Sequence, residues 1–84
     1  MAEITRKELI LALIGAGDQP RLSGLDLSSL DMGRLNLTGA DLSRAILVEA
    51  NMRGAFLHGA ILTGADLSRA ILTGAILEIG RAHV

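Results

Sequence analysis

Apolar residues return on a beat of five along most of this chain. Counted in fives from Pro20, the third residue is Leu or Met in all twelve consecutive units: Leu22, Leu27, Met32, Leu37, Leu42, Leu47, Met52, Leu57, Leu62, Leu67, Leu72 and Leu77. The first residue is Leu at positions 25, 30 and 35, and Ala without exception from Ala40 to Ala75. A period of five fits neither the 3.6-residue turn of an α-helix nor the two-residue alternation of a flat strand. It does fit a three-residue extended piece followed by a turn. Alternate side chains of an extended piece share a face, so the first and third residues point together, and a turn after each piece makes them all point inward around a coil. The fourth residue is mostly Ser or Thr, and the fifth draws on Gly, Ser, Arg and Glu, which suits a turn. Gly24, Gly39, Gly54, Gly59, Gly64 and Gly74 relieve backbone strain there.

Ahead of the fives the pattern changes. Thr5-Arg6-Lys7-Glu8 reads as a capping box, six apolar residues follow, and the glycines at 15 and 17 can stop a helix. This predicts a helix over about residues 5–15. Its wide apolar face of Leu9, Ile10, Leu11, Leu13 and Ile14 suits a lid over the first coil, whose apolar interior needs a cover. The chain divides accordingly into a capping helix at 1–17, the repeats at 18–78 and a non-repeat tail at 79–84.

Tandem A-[DN]-L-x-x, as in Ala40-Asp41-Leu42, Ala50-Asn51-Met52 and Ala65-Asp66-Leu67, resembles the signature of the pentapeptide-repeat family. The resemblance covers about 60 of the 84 residues without a gap. It implies an all-β solenoid: a right-handed quadrilateral β-helix with four fives to a coil. Twelve fives then make about three coils, near the minimum for a stacked array to bury its own core. The expected core is Leu27, Met32, Leu37, Leu42, Leu47, Met52, Leu57, Leu62, Leu67 and Leu72. Residues 20 apart share a column on one side of the prism. The identical segments TGADLSRAIL at Thr38–Leu47 and Thr63–Leu72 lie 25 apart, one coil plus one side. Asp41 and Asp66 are thus expected on adjacent sides, and the repetition reflects construction rather than a duplicated site.

Length and composition narrow the picture. An 84-residue chain is at most one small domain, and such chains bury only about 60% of their unfolded surface. There is no cysteine, which removes disulfides and thiolate metal sites. Eight Lys and Arg against nine Asp and Glu give a net charge of −1, so no basic field for nucleic acid is expected. Phe56 is the one aromatic residue. No apolar run approaches the eighteen or so residues that span a bilayer. Acidic Glu3 and Glu8, and the poor cleavage site after Ile14, argue against a secretion signal, so the expected location is cytoplasmic, with no membrane contact.

The search for chemistry returns little. Asp26 and Asp66 share a column with Ile46 between them, about 9–10 Å apart and too far for one cation. Asp31 and Asn51 lie one rung apart, but hard cations want six or more oxygens. These residues read as solvated groups that keep the ladder soluble. His58 occupies a turn position and His83 lies in the tail, and neither has a fixed nucleophile or second imidazole nearby in sequence. No phosphate-binding, dinucleotide or zinc motif is present. No catalytic residue, cofactor or metal is expected.

The more informative feature is apolar. Phe56 and Ile76 stack on one column, with Ile61 and Ile71 on neighbouring sides, and such a cluster marks a candidate partner surface. The expected function is a rigid, non-enzymatic scaffold that presents this surface to a protein partner. The alternative implied by the family is a DNA-mimicking gyrase inhibitor akin to the quinolone-resistance pentapeptide proteins. Between Pro20 and Leu77, however, five acids (Asp26, Asp31, Asp41, Glu49, Asp66) are matched by five arginines (Arg21, Arg34, Arg44, Arg53, Arg69).

The tail departs from the pattern. Ile79–Val84 back-translates as ATC GGA AGA GCA CAC GTC, the start of a common sequencing-library adapter that runs next into a stop codon. The tail is therefore expected to be an artefact of the gene record and the native chain to continue past Leu77. Self-association through the uncovered third coil is expected to follow.

Overall fold

A computed structural model describes residues 2–15 and 19–76. The expectations for Gly17, Leu77, His83 and the tail at 79–84 lie outside those residues.

Hydrogen bonding sets the architecture. Eight parallel bridges each join residues 20 apart, from Arg21 with Asp41 to Phe56 with Ile76, so four fives complete one turn of the chain. From Leu22 to Leu57, the amide of each third residue donates to the carbonyl of a second residue one coil on, as from Leu22 to Asp41 at 2.8 Å. The amide of that second residue donates back, as from Asp41 to Pro20 at 2.8 Å. Fives starting at Pro20, Leu25, Leu30 and Leu35 define faces one to four of the first coil, and each face recurs 20 residues later.

Every corner is a tight turn. The first amide of each five donates to the third carbonyl of the five before, as from Ala40 to Leu37 at 3.0 Å. The fifth residue has positive φ at all eleven described corners, the requirement of the third position of a type II turn. Six corners carry the expected glycines, with φ of 67–73°. Ser29, Arg34, Arg44, Glu49 and Arg69 adopt the same left-handed conformation at 57–62°, at a cost of about 1 kcal/mol each or more. A stack of hydrogen-bonded coils holds them there.

The inward residues pack as one column-lined core. Leu27, Met32, Leu37, Leu42, Leu47, Met52 and Leu57 have no exposure and Leu62 has 2%. Ala40, Ala45, Ala50, Ala55 and Ala60 are sealed beside them. Burying each Leu or Met removes roughly 1.5–3 kcal/mol of apolar exposure. Leu67 and Leu72 pack against this core but are only partly buried.

Helix α1 spans Arg6–Gly15. The capping box forms in both directions: the Glu8 amide donates to Thr5 Oγ1 at 3.1 Å, and the Thr5 amide donates to Glu8 Oε1 at 2.8 Å. The expected wide apolar face is corrected by the structure. Leu9 is fully buried and joins the core, Ile10 and Leu13 are half-buried, while Leu11 and Ile14 are 59% and 76% exposed. Residues 9–14 are apolar on all sides, so a helix resting on one surface must leave some of them in solvent.

Two side chains complete the fit of α1 to the first coil. Glu3 takes the place of a missing rung: its amide donates to the Asp26 carbonyl and its carboxylate accepts from the Asp26 amide, both at 2.7 Å. The Arg6 guanidinium donates to the Asp31 carbonyl at 2.9 Å and the Gly33 carbonyl at 3.0 Å.

Candidate interaction surface

The outer columns are built from the second residue of each five. Where that residue is Asp or Asn, its side-chain oxygen accepts the amide two residues on and braces the turn. Asp26 does this for Ser28, Asp31 for Gly33, Asn36 for Thr38, Asp41 for Ser43, Asn51 for Arg53 and Asp66 for Ser68, at 3.0–3.2 Å. Asp41 and Asp66 also accept the hydroxyl of their serines at 2.6 Å. Hydrogen bonds from the Ser28, Ser43 and Ser68 side chains, then from their amides, hold Asp26, Asp41 and Asp66 below the ordinary carboxylate range. The polar residues of the ladder thus have a local task, which the reading as solvated groups missed. The signal was present in the sequence, as Asp-x-Ser at 26–28, 41–43 and 66–68.

Asp31 receives Arg6 at 3.3 Å and the Asn51 amide group at 3.4 Å. Ile46 bridges both to Asp26 and to Asp66 and separates them. Among the described residues, no group of three or more His, Asp or Glu comes together as a metal site would require. His58 sits exposed at a turn of face four.

At five outer positions the second residue is Ile or Phe, and the turn goes without that brace. Phe56 and Ile76 pair as neighbours on face four, each 43% exposed. Ile71 on face three is 36% exposed, and Ile61 on face one is half-buried. Ile46 on face two, left out of the expected cluster, is 41% exposed but is flanked above and below by Asp26 and Asp66. The apolar residues therefore gather on faces three, four and one toward the later coils. At the other end of face four a cleft of about 330 Å³ opens between Ile10, Leu13 and Ile14 of α1 and Leu35, Asn36 and Thr38.

The corners carry the charges. Arg69 reaches Glu49 directly beneath it at 3.6 Å. Arg34 lies beneath Gly54, where an added Cβ would stand 3.3 Å from Arg34 Cγ, and Arg44 lies beneath Gly64 in the same way at 3.1 Å. Glycine at those corners leaves room for the arginine one coil below. The identical segments come to rest with Asp41 on face one and Asp66 on face two, so they form no common site.

A five-residue unit repeated along a parallel ladder, with inward aliphatic columns, defines a repeat solenoid. The family model for pentapeptide repeats matches eight copies over residues 21–59 and 47–78, and the chain belongs to that family. One similar solved structure is a pentapeptide repeat protein from the Arabidopsis thaliana thylakoid lumen, 41% identical, with a TM-score of 0.65 over 69% of this chain and 39% of that one. Another, from the cyanobacterium Cyanothece 51142, is 38% identical, with a TM-score of 0.68 over 74% of this chain and 44% of that one. The chain thus matches about two-fifths of the length of these relatives. With them it shares a right-handed β-helix type of fold. No curated protein matches it.

Proposed function

We propose that this chain is a non-enzymatic scaffold: a four-sided β-helix of about three coils, covered at its first coil by α1, that presents a rigid surface to another protein. Phe56, Ile61, Ile71 and Ile76 are the contact residues of that reading. The observation that carries it is the exposed Phe56–Ile76 pair. Asp or Asn at these positions would brace the turn and be solvated, as at Asn36 in the same column. Phe and Ile give up the brace and expose apolar area, a loss that a partner recovers. Backbone bonds from Phe56 to Leu35 and from Leu57 to Ile76 fix the pair in position, so little order is lost on binding.

The balance of acids and arginines favours this reading over imitation of DNA. The test is selection of displayed random peptides against the full chain, with Phe56→Asn and Ile76→Asn variants as competitors. Binders that the wild type captures and both variants release are expected. A selection in which no binder depends on any of the four contact residues would overturn the proposal.

A further inference from the structure

The corner between faces three and four combines apolar side chains with unopposed positive charge, and the combination specifies what should dock there. Cations elsewhere on the prism are answered locally. Arg6 is held by Asp31 and Arg69 by Glu49, while Arg21 and Arg44 lie close enough to Asp41 to act on its charge. Arg34 and Arg53 differ. Both are exposed, and neither makes an ion pair among the described residues. They share this corner on successive rungs, joined by the Arg34 amide donating to the Arg53 carbonyl at 2.7 Å. Arg34 is directed along the corner by Gly54, whose missing Cβ leaves space for its stem. Ile71 stands on face three, in the rung above Asn51, and Phe56 and Ile76 stand on face four.

From this juxtaposition we propose that the corner docks a protein segment in which carboxylates alternate with aliphatic or aromatic side chains. The carboxylates would pair with Arg34 and Arg53, while the apolar side chains cover Phe56, Ile71 and Ile76. Guanidinium groups favour paired, planar contacts with carboxylates, and Arg beside an aromatic ring is a frequent core of protein interfaces. Two free cations on a chain of net charge −1 are too few for a nucleic-acid footprint. At about 1 kcal/mol per basic residue they are also too few for an anionic membrane. The inference rests on the scaffold reading and narrows it.

The same peptide selection tests it, read now for composition. Recovered peptides are titrated against wild type, Phe56→Ser, the double variant Arg34→Gln/Arg53→Gln and the control Ile46→Ser/Arg44→Gln on the far side, with circular dichroism verifying each fold. The expected peptides are rich in Asp and Glu interleaved with Leu, Ile or Phe. Their affinity should fall about tenfold in either corner variant, weaken with salt and hold in the control. Neutral or basic peptides that need Phe56 but not the arginines would overturn the inference and leave the scaffold reading standing, whereas binders confined to another surface would overturn both. No binder at all would overturn both. Duplex DNA or phosphatidylserine vesicles that bind through Arg34 and Arg53, where acidic peptides do not, would also overturn it.

Discussion

The first and third coils of the prism place equivalent leucines in unequal surroundings. In the first coil Leu27, Met32 and Leu37 are completely sealed, as deeply as the leucines of the middle coil. In the third coil Leu67 and Leu72 occupy the same inward columns and remain partly open. The first coil has α1 across it, with Leu9 in the core, Glu3 completing the bonds of Asp26, and Arg6 on two carbonyls. A coil does not need another coil as neighbour. It needs an apolar plug and replacements for the missing backbone partners, and a ten-residue helix with two charged side chains supplies both.

Substitutions can break this contrast in graded steps. The largest effect is expected for Leu42→Asp, which places a charge in the sealed middle of the stack and should abolish folding, while Leu72→Asp at the open rung should leave a folded chain. Circular dichroism and thermal melting distinguish the two, and equal loss would mean the ends are energetically alike. Next, Leu9→Ala should cost about 2–4 kcal/mol in denaturant titration, more than twice the cost of Leu72→Ala, because its cavity lies inside a closed core. Arg6→Gln should cost about 1 kcal/mol, reduced by the exposure of the Asp31 contact. It should also speed amide hydrogen exchange in Leu30–Leu35 ahead of the middle coil.

The inward columns, the 20-residue register and the Thr5–Glu8 capping box were legible in the sequence because each depends on residue types at fixed short spacing. The roles of Glu3 and Arg6 were not, since they arise only when residues 23 to 27 positions away are folded onto the same end. The outward turn of Leu11 and Ile14 was hidden by the uniform apolarity of residues 9–14, which names no preferred side. At the corners glycine announces positive φ, but Ser29, Arg34, Arg44, Glu49 and Arg69 are driven into it by the rungs above and below. On the outer surface the pairing of Phe56 with Ile76 was legible from the same 20-residue spacing. The free charge of Arg34 and Arg53 was not, because their neighbours are set by the faces and not by the chain.

Two smaller effects concern what the coils share away from the ends. Asp26, Asp41 and Asp66 bind protons less readily in the folded chain than at their ordinary pKa of 3.8, chiefly through the serine hydroxyl bonds. Their contribution is therefore complete above that value and is lost as pH falls through it toward the lower folded values. The melting temperature should drop as pH falls below about 4, and it should drop less in a variant with all three changed to Asn, which keeps the turn bond without the charge. The smallest expected effect is a gain: Arg44→Gly removes a side chain from a left-handed corner and should stabilise the chain by about 0.5 kcal/mol. No gain would mean that the stem of Arg44 beneath Gly64 contributes as much as the strain costs.

The position of α1 also limits assembly. A fibre grows only if each molecule offers two matching sticky ends, and the helix occupies one of them. At that end ten residues of helix therefore act as a chain terminator against stacking on the first coil.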